Sequence, residues 1–475
     1  MVLPRKRPAG RAAQQRTRRA SPGVGGLPLA GACGASWERL RSCLGQRVRK
    51  GQWPGVAACV FVDGELRFLE ELGHADLESK KPMTRHSLVR IYSMSKCVVA
   101  AAVLQLAEDG LLGLDDKLSD HIPAFAAPKV VVEGHDGLPD FQRMVPAKSP
   151  ILIRHLLTHT SGISSGLAPE LDGPKHRSAR ERAWAGIYEP LVNSIDRNEI
   201  KDLAQWVQEL SKLPLFSHPG QHYGYGYSYD VLGHLVELKS GKKLQQYLQQ
   251  RIFKPLNMRD TAFDLCSKSS SRSQRLSVLY RYTKSAKWGS DGKRFHLVRV
   301  DPPRKGSCSR WSSCKVPSAG GGLSSLEGGL LSTLDDYAKF LLAIVSGGAH
   351  PKTGARILLK KSADLMQADQ IDLLPGQRGP PKSARPYDDR GLGLSCIGEL
   401  QRKGAPSWGR WFDGTPGVRL WGGAASSAFK YDPNGGCPIL ALVMTQAFPQ
   451  DDGDTITSLV QGVRKVIASE RKLSS

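Results

Sequence analysis

The sequence predicts an α/β protein of the α+β type, an antiparallel sheet flanked by helices with a mostly helical lobe inserted into it. Three observations carry that reading. Residues 55–71 form two strand-like runs joined by Asp63-Gly64, a pair that supplies the positive φ angles of a two-residue hairpin turn. Far along the chain, residues 419–421, 428–431 and 439–445 again alternate like strands. Between the two groups the apolar residues recur at helical spacing, so the sheet is expected to be built from both ends of the chain.

Taken in order, residues 1–35 are rich in Arg, Ala, Gly and Pro, contain no acid and read as a disordered basic segment. An Arg-rich, acid-free start resembles an organelle transit peptide (mitochondrial or plastid), the alternative being a plain basic tail on a cytoplasmic protein. A first helix is expected over 37–48. The hairpin follows, then a helix that Gly110 closes, then a turn-rich exit and a surface loop up to Pro150. Residues 151–160 read as a short helix ending at Ser161-Gly162, and 180–212 as helical, with Leu203, Trp206, Val207 and Leu210 on one face. Further helices are expected over 230–240 and 244–253. Residues 266–317 are polar and rich in Lys and Ser, a surface excursion with strand-like pieces at 276–282 and 295–300. Thr333, three residues before Asp336, is a helix N-cap signature for 334–345, and a last helix is expected over 456–469. The sheet domain is thus assigned to 36–125 and 318–475, and the helical lobe to 126–317.

The 67 Lys and Arg against 44 Asp and Glu give a net charge of +23. Almost half of it is local, because residues 1–50 carry twelve Lys/Arg and one acid. The remainder is only ordinarily basic, and with no zinc-finger, RNA-recognition or helix-turn-helix pattern, no nucleic-acid partner is expected. Nine cysteines without close Cys-x-x-Cys pairs argue against a disulfide framework or a zinc site, and only Cys308 and Cys314 are near enough in sequence to pair. No apolar window reaches the roughly twenty residues of a membrane-spanning helix. The glycine-rich repeat at 320–335 does not lead into Gly-Lys-Ser/Thr, so it is no phosphate loop, and no cofactor or metal is expected.

The chemistry-bearing stretch is Ser93-Met94-Ser95-Lys96 at the start of the helix closed by Gly110. Positions i and i+3 share a helix face, which brings the Ser93 hydroxyl within reach of the Lys96 amine. A serine hydroxyl becomes a nucleophile when a neighbouring base takes its proton, and burial makes a lysine amine such a base. After Lys96, thirteen residues contain only Gln105, Glu108 and Asp109 as polar side chains, which describes a helix buried on most sides. A lysine at its mouth is unlike a solvated surface lysine.

Two further pieces complete a constellation: Tyr225-Gly226-Tyr227 ahead of Asp230-Val231-Leu232-Gly233, and Trp421-Gly422-Gly423 on an expected strand. In this order and spacing the chain resembles the penicillin-binding-protein and class C β-lactamase superfamily, and looks closest to its esterase and transesterase members. Supporting matches are the run from Ile153 through His155, Thr158, His159 and Thr160 to Gly162, Pro219-Gly220, and Gly329-Leu330-Leu331-Ser332-Thr333 before Asp336-Tyr337.

The resemblance implies a serine hydrolase working through an acyl-enzyme, with Ser93 as nucleophile, Lys96 as its base or proton partner, and Tyr225 as the second base. Read from the residues alone, Tyr223, Tyr225 and Tyr227 are equally compatible with core aromatics or one face of a strand. The resemblance singles out Tyr225 because it stands five residues before Asp230. It also implies an oxyanion hole from the backbone N–H groups of Ser93 and Ala424, and substrate contacts from Tyr227, Trp421, Gly422 and Gly423.

Two departures bear on substrate. β-Lactamases and peptidases of the superfamily usually carry Lys-Thr-Gly as the third motif and a second motif ending in Asn, where this chain has Trp421 and Tyr227. Both changes replace polar recognition by aromatic surface, which favours a neutral small ester. Arg419, on the same face as Trp421 in a regular strand, restores some positive charge and keeps a β-lactamase or D-Ala-D-Ala peptidase activity as the alternative, beside a non-catalytic scaffold. A different mechanism is hinted at by Gly162-Ile163-Ser164-Ser165-Gly166, but the Gly-x-Ser-x-Gly elbow needs a strand before it and a helix after it, and here a helix precedes.

Overall fold

The computed structural model describes residues 34–136, 138–163, 179–197, 199–263, 271–284, 295–302, 319, 329–368, 370, 390–392, 399–401, 415, 417–448 and 454–474. Ser164, Cys308, Cys314, the basic residues 1–33 and most of the glycine-rich repeat lie outside them. Among the described residues no helix is long and apolar enough to cross a membrane.

The protein mixes helices with an antiparallel sheet. A six-stranded sheet runs in the spatial order Arg419–Gly422, Ala428–Asp432, Ile439–Met444, β1 (Gly55–Val62), β2 (Glu65–Asp76) and β3 (Lys81–Pro82). β1 lies between its hairpin partner β2 and the distant Ile439–Met444, with Ala57 opposite Met444 and Val62 opposite Ile439. The turn is the expected one, since Asp63 and Gly64 have φ of 52° and 77°. Side chains alternate across β1. Val56, Ala58, Val60 and Val62 join a core with Leu40 and Leu44 of helix α1 (Gly34–Arg49) and Ile456, Leu459, Val460 and Val463 of the helix Asp454–Ser474. Ala57 and Cys59 face the larger core beneath α2 (Ser95–Glu108) and the helix Leu334–Val345. Burial on both faces explains why β1 reads as an unbroken apolar run, each buried aliphatic side chain contributing roughly 1.5–3 kcal/mol.

Between the two halves of the sheet the chain forms the helices Ala179–Asp196, Leu203–Leu210, Ser228–Ser240 and Leu244–Leu248. Asp202 caps the second of these by accepting from the Gln205 amide at 2.9 Å, and Thr333 caps Leu334–Val345 by accepting from the Asp336 amide at 3.2 Å. Two sequence expectations need correcting. The surface loop before Pro150 is an antiparallel hairpin, Lys129–Glu133 with Pro139–Pro146, whose Val130 and Val131 are buried. Its Gly and Pro residues punctuate the turn and ends and mask the short strands. The excursion after 266 is also tied in. Leu279–Lys284 and Phe295–Asp301 pair with each other, and the first runs parallel to Ala447–Phe448.

That small sheet reaches the chain just ahead of Ser93. Arg90 and Asp301 form a fully buried ion pair. The Arg90 guanidinium also donates to the Ser277 carbonyl at 2.8 Å, while the Gln446 side chain accepts from the Arg90 amide at 3.1 Å and donates to its carbonyl at 3.0 Å. Removing one partner of such a pair strands a charge and destabilises by roughly 3–5 kcal/mol. The backbone entering the candidate site is therefore held from both sides.

Candidate active site

α2 does not begin at Ser93. Tyr92–Met94 is a 3-10 turn, and the α-helix starts at Ser95. Tyr92 has φ of 45°, a left-handed conformation that a bulky residue rarely adopts, and its ring packs edge-on against Phe448 with centroids 5.6 Å apart. Surrounding bonds hold the turn: the Ile91 amide donates to Leu330 O at 3.0 Å, the Leu330 amide to Ser95 Oγ at 2.8 Å, and the Tyr337 hydroxyl to Met94 O at 2.9 Å. Such over-determination is what lets a strained residue persist.

On this turn the Ser93 side chain meets two partners. The Tyr225 hydroxyl donates to Ser93 Oγ at 2.7 Å, and Lys96 Nζ lies 2.5 Å from the Tyr225 oxygen and 3.5 Å from Ser93 Oγ. Lys96 is 1% exposed and Ser93 6%. The lysine reaches its position because α2 is buried from Ser95 through Leu106, so the amine is directed along the helix start rather than into water. Its Nζ also stands 4.5 Å from the centre of the Tyr225 ring and 5.9 Å from that of Tyr229, where the ring faces stabilise a cation. Tyr225 comes from the loop before Ser228–Ser240. A hydroxyl that shares its proton with a phenol, itself bonded to an amine, is equipped for proton transfer to and from Ser93.

The third piece arrives on the edge strand. The Trp421 indole N–H donates to the Ser93 carbonyl at 3.1 Å, and the indole lies 6.1 Å from the Tyr225 ring. Gly423 is required at its position: a Cβ there would stand 2.5 Å from the Ile91 carbonyl oxygen, so only glycine lets the strand end close on the Ser93 turn. Gly422 ends the strand and pairs with Ala428. Ala424 follows, half-buried beside Tyr92 and Phe448. The close approach of Gly423 to Ile91 and Tyr92 brings the segments carrying Ala424 and Ser93 near one another.

Two residues expected to contact substrate, Tyr227 and Arg419, are engaged with the protein itself. Tyr227 is a core residue, its ring 5.1 Å from Trp206 and 5.9 Å from Tyr188. Arg419 shares the face of Trp421, but its Nε and Nη1 donate to the carbonyls of Gln367 and Gly417 at 2.9 and 2.7 Å. That guanidinium is engaged with backbone, and burial draws its pKa down. Sequence reasoning left His159 without a role. It is 1% exposed and its ring centre lies 4.7 Å from that of Tyr225. Burial and then the Lys96 charge push its pKa well below the usual range, so the ring is neutral. Among the described residues no three His, Cys, Asp or Glu side chains gather as metal ligands.

The comparisons with known proteins agree with this architecture. The chain is 29% identical over 398 residues to Protein Rv1367c of Mycobacterium tuberculosis, covering 83% of this chain and 86% of that protein. It is 28% identical over 420 residues to Esterase EstB of Burkholderia gladioli, covering 86% and 90%. Among solved structures, unliganded Simvastatin Synthase (LovD) from Aspergillus terreus superposes with a TM-score of 0.63 at 20% identity, over 92% of this chain and 98% of that one, a likeness of fold. The sequence model of the family described as Beta-lactamase matches residues 40–463, and the chain belongs to that family.

Proposed function

We propose that the protein is a serine hydrolase of neutral small carboxylic esters, acting as a carboxylesterase or transesterase through an acyl-enzyme on Ser93. The observation that carries this reading is the triangle of Ser93 Oγ, Tyr225 oxygen and Lys96 Nζ, with sides of 2.7, 2.5 and 3.5 Å. Ser93 Oγ attacks the ester carbonyl carbon while its proton passes to the Tyr225 oxygen, which has given its own proton to the Lys96 amine and is held as a phenolate by the resulting ammonium. The carbonyl electron pair moves to oxygen, facing the N–H groups of Ser93 and Ala424. On collapse the ester C–O bond breaks and the leaving alkoxide takes the proton from Tyr225. Water or a second alcohol then gives its proton to Tyr225 and attacks the acyl carbon, and Ser93 leaves with that proton.

Selectivity for a neutral acyl group is supported by Trp421 and Arg419. The indole N–H is occupied by the Ser93 carbonyl, so substrate meets an apolar face, and two of the three Arg419 nitrogens are bonded to backbone. The esterase name of the EstB relative points the same way. The test is a series of p-nitrophenyl esters of increasing acyl length run beside a chromogenic cephalosporin. Short neutral esters are expected to give the larger kcat/KM by far. Equal efficiency on the cephalosporin, or no serine-dependent turnover of any ester, overturns the reading.

A further inference from the structure

His159 is an anomaly in the packing. Among the described residues neither ring nitrogen has a hydrogen-bond partner, although the side chain is almost wholly buried. Its backbone is left-handed as well, with φ of 56°. An orphaned polar group and an unfavourable backbone at one residue are retained where the residue serves another purpose.

Both features act on Tyr225. The left-handed turn at His159 directs its carbonyl to the Gly224 amide, which donates to it at 2.7 Å, so the backbone next to Tyr225 is held directly. The ring then lies among three tyrosines, with centroids 4.7 Å from Tyr225, 5.0 Å from Tyr229 and 5.9 Å from Tyr223. Tyr229 is itself fixed, because its hydroxyl donates to the Leu157 carbonyl at 2.8 Å. The imidazole is a wedge between an immobile ring and the ring that must reach Ser93. A neutral wedge suits the place, for a second cation beside Lys96 would compete for the phenol oxygen.

We propose that His159 is a positioning residue for Tyr225, fixing the phenol at Ser93 through its carbonyl bond to Gly224 and its ring wedged against Tyr229. The proposal rests on the serine hydrolase reading above and goes beyond it by assigning the control of the general base to the 153–162 segment.

The decisive variant is His159→Asn, because asparagine tolerates the left-handed backbone while removing the ring. Ester turnover, thermal midpoint and a double variant with Tyr225→Phe are measured together, with Ser93→Ala as control. His159→Asn is expected to lower kcat on the order of a hundredfold with little change in KM, the scale of a misplaced catalytic group. The double variant His159→Asn/Tyr225→Phe is expected to be no slower than Tyr225→Phe alone, because a residue that acts through Tyr225 has nothing left to position. Should the two losses multiply, or should His159→Asn turn over like wild type, the positioning role is wrong and His159 is merely structural. If His159→Asn unfolds, His159→Gly, which also accepts the left-handed backbone and removes the ring, is carried through the same cycle with the same criteria. Activity that survives Ser93→Ala removes the hydrolase reading itself, an outcome separate from failure of the cycle.

Discussion

The Trp421 indole donates its only N–H to the carbonyl oxygen of Ser93, 3.1 Å away. The residue that departs from the Lys-Thr-Gly pattern is therefore a tie as well as a wall. It fastens the edge strand to the turn that carries the serine, and the face left over is apolar. Where a lysine ammonium would project charge toward substrate, this side chain directs its one donor at the protein. Trp421→Lys is expected to weaken the short-ester activity and raise turnover of carboxylated or β-lactam substrates relative to wild type, read as the ratio of kcat/KM values. An unchanged ratio means that position 421 does not set preference.

The nucleophile assignment predicts that Ser93→Ala abolishes acylation while Ser164→Ala leaves it nearly intact. Intact-mass trapping with a fluorophosphonate reads this directly. Labelling that persists in Ser93→Ala and vanishes in Ser164→Ala sinks the mechanism.

Removing either proton partner should be severe. Lys96→Ala and Tyr225→Phe are each expected to lower kcat by at least about a hundredfold, the scale of a lost general base. Tyr227→Ala has a different signature, because its ring is packed between Tyr188 and Trp206: stability should fall by roughly 3–5 kcal/mol in denaturant titration. Equal kcat losses for Tyr225→Phe and Tyr227→Phe, with no difference in stability, would remove the distinction drawn here.

Gly423→Ala places a methyl group 2.5 Å from the Ile91 oxygen, and the turn or the strand end has to shift. Because that turn carries the Ser93 N–H, kcat is expected to drop on the order of a hundredfold while substrate still binds. A variant with wild-type kcat would show that the strand approach is not catalytically important.

Acid should destabilise the native state through two histidines. His155 Nδ1 accepts from the Leu152 amide at 3.1 Å, and burial lowers its pKa from 6.5 to about 4. His159 is displaced in the same direction, by burial first and Lys96 second. Both native pKa values lie below the unfolded value, so the unfolded chain binds more protons in acid. Their contribution is fully present above about pH 6.5 and is lost as the pH falls through the folded values. The thermal midpoint should decline over that window, and His155→Gln should flatten the decline. An identical slope in the variant rules His155 out as a source.

Much of this was legible in the sequence because it is local. Asp63-Gly64 specifies its hairpin, Thr333 its cap, and the apolar run after Lys96 its buried helix. The Ser93 to Lys96 spacing also survives the finding that Ser93 stands on a 3-10 turn, since i and i+3 remain neighbours there. What escaped reading depends on partners far away in the chain. Nothing in the polar stretch around 301 announces that Asp301 is buried against Arg90, 211 residues earlier. Arg419 gave the alternation of its strand but not the carbonyls that receive its guanidinium. Tyr227 stood in a motif position yet packs with Trp206, and His159 belonged to a matched run without any sign of its unpartnered ring.

The pairing of β1 with Ile439–Met444 has a consequence for biosynthesis. β1 leaves the ribosome well before its neighbour has been made, so the main sheet closes only after synthesis of residue 444. Until then one edge of β1 is unpaired, the kind of edge that favours aggregation. Ser93 and Gly423 are far apart in the sequence, and a chain cut off between them lacks the strand end that closes on the Ser93 turn.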